Sequence, residues 1–282
     1  MNNLIVRSLT GVVFVAVLVS SIWFSPISFI GLFALITGLT TWEFSTNVNR
    51  YAGASVNRFI NTVAAVYLFL AFAGYCADLV PSKAFIPYLV SIIYLLVSEL
   101  YLKKADPLKN WAYAFASQVY VALAFALLNV LAFHYDALTN TVRFEPIYPL
   151  SIFFFLWTSD SGAYLCGSML HKYFSAKLFE RISPNKSWVG SIGGGLLCLV
   201  VGWVLSVFFP TQLTLVQWLG LGLTVCIFGT WGDLIESLFK RQLGIKDSGN
   251  VLPGHGGMLD RFDSSLLAIP AAVLYLYTIS IF

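Results

Sequence analysis

Three carboxylates, one histidine and two cations lie within "KDSGNVLPGHGGMLDRFDSS", Lys246 to Ser265, just before the last apolar stretch of the chain. Pro253-Gly254-His255-Gly256-Gly257 excludes regular helix. Its glycines admit positive φ and close backbone approach, which suits a loop whose N–H groups face an anion. Asp260 and Asp263 follow at a spacing of three, so on a helix they share a face and can converge on one metal ion. Arg261 between them is a planar cation suited to phosphate. Ser264 and Ser265 are available as caps. A capping loop needs one such carboxylate, not Asp, Arg and Asp behind a glycine hinge. Hard oxygen ligands in this arrangement suit Mg²⁺, which is commonly held by one or two carboxylates plus substrate phosphates. Lys240, Arg241, Lys246 and Arg261 suit a polyphosphate.

Three further stretches carry polar groups. In "GTWGDLIESLFKR" a continuing helix puts Asp233, Glu236 and Lys240 at i, i+3 and i+7, on one face where it meets water. Taken alone, that is the pattern of an ordinary solvated helix end. In "LWTSDSGAYLCG" Asp160 sits inside an apolar stretch, where a charge is costly unless it faces a polar cavity or a partner; a hydrogen bond in helix packing is the alternative. In "RISPNKSWVGSIGGG" Ser183-Pro184 breaks the preceding segment, and Lys186 and Ser187 offer a cation and a hydroxyl to a phosphate or lipid headgroup. Gly190 and Gly194 allow close helix packing. Glu43 and Glu99, near the ends of apolar stretches, read as interfacial or helix-pairing groups, and His134 and His171 as loop residues without partners.

The elements that must position these groups are membrane helices. The chain of 282 residues is 59% hydrophobic and 10% charged, with mean hydropathy +0.82. Soluble domains carry about 25% charged residues, so a soluble protein of this composition would expose far too much apolar surface. Nine apolar stretches approach the length of a bilayer-spanning helix: 8–25, 27–45, 59–79, 85–102, 111–133, 147–167, 191–209, 213–232 and 264–281. The second is the least regular, diluted by Gly31, Gly38 and threonines. With the N-terminus cytoplasmic, every Lys and Arg except Lys83 and Arg143 falls inside, as the retention of loop cations demands. The longest inside loops are 168–190 and 233–263, so the chemistry faces the cytoplasm. Cys76, Cys166, Cys198 and Cys226 lie in or beside apolar runs without metal-ligand spacing and read as small hydrophobes. The expectation is an all-α polytopic membrane protein of about nine transmembrane helices forming one integral membrane domain over 1–282. Its N-terminal helical part is 1–146, and its catalytic part, 147–282, contains the stretch 237–263.

Ser237-x-x-Lys240-Arg241, Lys246-Asp247-x-Gly249, Pro253-Gly254-His255-Gly256-Gly257 and Asp260-Arg261-Phe262-Asp263 together resemble the signature of phosphatidate cytidylyltransferases, with every fixed position filled. The similarity extends to Asp160-Ser161-Gly162-Ala163-Tyr164, to Ser183-Pro184-x-Lys186-Ser187-Trp188 and to Gly232-Asp233. Val189 departs from it, standing where many members carry glutamate. The resemblance implies that phosphatidate attacks the α-phosphorus of CTP, giving CDP-diacylglycerol and pyrophosphate for phospholipid synthesis. It implies Mg²⁺, with a second cation left open, held by Asp233, Asp260 and Asp263. It further implies that Lys240, Arg241, Lys246 and Arg261 hold phosphates, and that His255, Gly256 and Gly257 shape the nucleotide loop. Asp160, Lys186 and Ser187 would complete a polar cavity open sideways to membrane lipid. The implied setting is the cytoplasmic face of the inner membrane. No nucleic acid partner is expected, and a homodimer is a family-level expectation that glycine-rich spans permit.

Two other classes remain open to the residues themselves. A cation-coupled transporter would use Asp160 and the Gly-broken segments as an ion path, although transport needs access from both faces and the charges cluster in one loop. A non-catalytic scaffold binding lipid phosphate is the other.

Overall fold

The computed structural model describes residues 3–136, 139–170, 173, 176–251 and 256–279, with side chains from Thr10 onward. The chain is helical apart from two short hairpins, and it forms two compact units: Met1–Pro149 with Gln242–Phe262, and Leu150–Arg241 with Asp263–Phe282. One boundary lies close to the expected 146/147 division. The other assigns Gln242–Phe262, most of the signature, to the first unit.

In the first unit, α1 (Asn3–Phe24) gives way to α2 (Pro26–Tyr51) at Ser25-Pro26. Ser25 is extended, as a residue before proline prefers, and its hydroxyl accepts the Ile27 N–H at 3.2 Å. The threonines that dilute this stretch do not break it. Thr37 and Thr40 donate their hydroxyls to the carbonyls of Phe33 and Ile36, at 2.7 and 2.8 Å. Asn57 caps α3 (Arg58–Cys76), and α4 (Ile86–Tyr101) follows a 3₁₀ turn. Next, α5 (Pro107–Ser117) runs through a π-helical turn, Gln118–Leu123, into α6 (Ala124–Ala132). The π-turn begins where Gln118 reaches across to Asn61, donating to its side-chain oxygen at 2.9 Å. Asn61 in turn donates to Ser45 and Ser117, at 2.9 and 2.6 Å. Glu99 pairs helices as expected, bonded to Lys104 and Asn110, each at 2.8 Å.

The antiparallel strands β1 (Phe133–Asp136) and β2 (Thr141–Phe144) end this part, with Arg143 and Asp136 ion-paired at 2.9 Å. His134 is therefore not a partnerless loop residue. It stands on β1, its ring nitrogen 2.8 Å from the Leu131 carbonyl, and stacks on Tyr148. His171 lies outside the described residues.

The second unit contains α7 (Ile147–Leu170, from Leu150 on), the hairpin β3 (Lys177–Phe179) and β4 (Ser183–Ser187), α8 (Trp188–Phe208) and α9 (Leu215–Gln242). The chain then makes α10 (Leu259–Phe262) in the first unit and α11 (Ser265–Thr278) in the second. Gly194 permits the expected close packing of α8: a Cβ there would stand 2.7 Å from the Ser159 carbonyl of α7. Cys198 and Cys226 are buried, as small hydrophobes should be. Among the described residues, six helical stretches are long and apolar enough to cross a membrane: α2, α3, Ser82–Tyr101, Pro107–Ala132, α8 and α9. α1, α7 and α11 cover the other three apolar stretches; Ser159-Asp160-Ser161 dilutes α7, and α11 has 14 residues.

Two features hold α10 in the first unit. Phe262, 1% exposed, lies edge-on to Phe125 and Phe33 with centroids 5.4 and 6.5 Å away. Glu43 of α2, expected at an interface or in helix pairing, is buried beneath the signature loop. It accepts the Ser248 hydroxyl and the N–H groups of Met258, at 2.8 Å, and Leu259, at 3.2 Å. One turn on, Asn47 donates to the Ser248 carbonyl at 2.7 Å. Glu43→Ala would leave these buried donors unsatisfied, at about 1–3 kcal/mol each. The expected result is a clear fall in thermal unfolding temperature in detergent and faster proteolysis within 246–258, with Glu43→Gln recovering part of the loss.

Candidate active site

The second unit carries a polar cleft of about 310 Å³ between α7, the β3–β4 hairpin, α8 and α9, lined among others by Asp160, Tyr164, Ser183, Lys186, Ser187 and Thr230. Asp160 of α7 is exposed to it, which answers the cost of a carboxylate in an apolar stretch. The hairpin, which the sequence pattern did not reveal, presents Lys186. Its ammonium lies 2.6 Å from Asp233 Oδ2 and donates to the Thr230 carbonyl at 3.3 Å. Ser187 lines the cleft and also caps α8, accepting the Gly190 N–H at 3.1 Å.

Asp233 receives a second bond at Oδ1 from Ser237, at 3.2 Å. Beside it, Gly232 lets α9 approach the chain entering α11; a Cβ there would meet the Asp263 and Ser264 carbonyls at 2.8 and 2.9 Å. Asp263 thereby shares the electrostatic environment of Asp233. Burial, and next the Asp233 carboxylate, push the Asp263 carboxyl up to about 7. Asp160 adds to the rise, while the Ser264 N–H, 2.6 Å from Asp263 Oδ1, and Lys240 oppose it. Carboxylates in such mutual repulsion favour a bound cation, and oxygen donors of this kind suit a hard divalent ion. Among the described residues no three His, Cys, Asp or Glu side chains are grouped to hold an ion by themselves. An ion here would complete its coordination with phosphate or water.

Lys240 has a partner the sequence placed nearby without pairing. It lies 2.5 Å from Glu236, whose side chain is 0% exposed. Arg241, at the end of α9, is exposed.

The rest of the signature belongs to the first unit. Asp260 and Asp263 do not share one helix: α10 ends at Phe262, and Asp263-Ser264 form a turn before α11. The Asp263 carboxylate takes the N–H of its own neighbour there, which breaks the helical register. Asp260 Oδ2 accepts the N–H groups of Ser248 and Gly257, both at 2.8 Å. Gly256 has the positive φ expected of it, 79°. Arg261 is exposed, and exposed Lys246 lines a second cleft of about 560 Å³ with Trp42, Arg50 and Tyr51. His255 lies outside the described residues. Glu43 is the functional-region residue that sequence reasoning passed over. Its signal was the spacing Glu43, Asn47, Arg50, which puts three strongly polar groups along one side of the helix.

Lys240→Met would strand the buried Glu236 charge, and breaking such a pair typically costs about 3–5 kcal/mol. Thermal unfolding should show a destabilisation of that order for Lys240→Met, largely reversed in Lys240→Met/Glu236→Leu. Recovery of stability without recovery of turnover would separate the lysine's structural pairing from a phosphate-binding role.

Comparison with known proteins identifies the family. A sequence profile of the cytidylyltransferase family matches residues 5–279. A phosphatidate cytidylyltransferase of Staphylococcus aureus (strain COL) is 34% identical over 272 residues, covering 94% of this chain and 96% of that protein. The phosphatidate cytidylyltransferase of Staphylococcus haemolyticus (strain JCSC1435) is 35% identical over 274 residues, with the same coverage of both chains. Similarity therefore runs through the helices of both units and not the signature alone, and the chain belongs to the cytidylyltransferase family as a nucleotidyltransferase.

Proposed function

We propose that the protein is a phosphatidate cytidylyltransferase acting at the cytoplasmic face of the inner membrane, where it supplies CDP-diacylglycerol for phospholipid synthesis. The observation that carries this reading is a cleft lined by Asp160, Lys186 and Ser187, with Lys186 bonded to Asp233 and with both Asp233 and Asp160 acting electrostatically on Asp263. A phosphate oxygen of phosphatidate attacks the α-phosphorus of CTP; the bond to the bridging oxygen of the β-phosphate breaks, and pyrophosphate leaves. No covalent intermediate with the protein is needed. Positioning and charge neutralisation supply the catalysis.

Asp233 and Asp263 would hold Mg²⁺ with phosphate or water completing its coordination, and the signature adds Asp260 as a ligand; the ion would offset the charge of two anionic reactants. Lys186 holds the Asp233 carboxylate through its ion pair, and Asp160 and Ser187 line the space for the acceptor headgroup. Lys240, Arg241, Lys246 and Arg261 contribute positive charge toward the phosphates, and His255, Gly256 and Gly257 shape the nucleotide loop. The same reading takes nine spans with a cytoplasmic N-terminus, because that topology keeps nearly all Lys and Arg inside. It includes homodimer formation through the glycine-rich spans.

The test is pyrophosphate release from CTP by purified protein in lipid–detergent micelles. Release should require both Mg²⁺ and phosphatidate, whereas a transporter or a lipid-phosphate scaffold would give none. Asp263→Asn should lower turnover by at least about 10²-fold, the scale on which a single electrostatic contact to a transition state is felt. Asp260→Asn keeps a carbonyl acceptor for the Ser248 and Gly257 N–H groups, so it should stay folded and still lose turnover. Retained activity in these variants would remove the carboxylate assignment.

A further inference from the structure

A second cleft adjoins the polar one in the same unit. Its volume is also about 310 Å³, but its walls are apolar: Ile182 of the hairpin, Trp231, Leu234, Ile235 and Leu238 of α9, and Leu267 of α11. Consecutive residues line the two clefts. Ser183 lines the polar one and Ile182 the apolar one; Thr230 lines the polar one and Trp231 the apolar one. Within α9, Leu234 directly follows Asp233 and Leu238 follows Ser237. The helix and hairpin that hold the Lys186–Asp233 pair therefore also form the apolar walls.

Such a junction fits a ligand that is itself divided, with an anionic head beside a cation and a hydrocarbon portion attached to it. A volume near 300 Å³ lies within the range of small-molecule sites. We propose that the apolar cleft receives an acyl chain of the lipid acceptor and thereby sets which lipids are used. This rests on the reading of the polar cleft as the acceptor site. Bilayer tails are as apolar as leucine, so entry from the membrane gains little from the hydrophobic effect. What the cleft offers is close dispersion contact with a chain that fits, and its consequence is selection by shape more than tight binding.

Ile235→Trp would fill the cleft, from a position 43% exposed where folding should tolerate the change, and Leu238→Ala would enlarge it. The readout is the ratio of kcat/KM for dioleoyl phosphatidate to that for dihexanoyl phosphatidate. Ile235→Trp should lower this ratio by about tenfold, the scale of a misfit of one or two methylenes in an apolar pocket, and Leu238→Ala should shift it as well. A ratio within about twofold of wild type in both variants would overturn the proposal. Independently, phosphatidate with a diazirine in one acyl chain should label residues 231–238 or the hairpin of the wild-type protein; labelling confined to other segments would overturn it. An Ile235→Cys variant that forms a disulfide-linked dimer in membranes would assign the cleft to a second copy of the chain, which also overturns it. If the wild-type protein releases no pyrophosphate with either lipid, the enzymatic reading fails, while photolabelling still decides the cleft.

Discussion

Carboxylates brought close together in apolar surroundings lose hydration and repel one another, and that electrostatic constraint marks the second unit. Asp233 and Asp160 both act on Asp263 there, with burial and repulsion raising the affinity of Asp263 for a proton. Lys186 offsets part of the charge through its contact with Asp233. Lys240, the other nearby cation, is engaged with the fully buried Glu236. Lys240 also acts on Asp263, opposing the rise. A nucleotidyltransferase has a use for carboxylates held in this way, because a cation drawn to them also attracts the phosphates on which the reaction depends.

Holding like charges close requires a scaffold that cannot relax them apart. Gly232 sets the approach of α9 to the chain at Asp263. The β3–β4 hairpin fixes the height of Lys186, and its last residue, Ser187, caps the following helix, so the hairpin cannot drift from α8. In the first unit the same demand is met differently. A loop of turn-forming residues is tied to α2 by Glu43 and Asn47 and closed on itself by Asp260. Phe262 secures the end of that loop in an aromatic cluster. Residues of the signature that look purely chemical thus divide their work, and some of them fold the loop that carries the others.

Much of this was readable in advance, for reasons that can be stated. Apolar stretches of bilayer length register as helices because unpaired backbone groups are intolerable in hydrocarbon, and every such stretch contains one. Asp160 stood out as a charge in an apolar stretch, and Lys186 and Ser187 as a cation and a hydroxyl at the entry to another; the three line one cleft. The β3–β4 hairpin was hidden because Lys177–Ser187 has no strand alternation and its pairing is irregular. Asp260 and Asp263 looked like one helical face, but a side chain that bonds the next backbone N–H interrupts the helix between them.

By itself the sequence determined the helical, apolar character of the chain, the short list of polar residues able to do chemistry, and through its signature the family. Those are local or compositional properties, set by hydropathy, residue type and spacing along the chain. Only the tertiary structure decided the distant partners: Lys186 for Asp233, and Glu43 for a loop more than two hundred residues away. Pairing across such distances depends on which helices pack side by side and at what rotation, and the periodicity of a single segment carries no record of that.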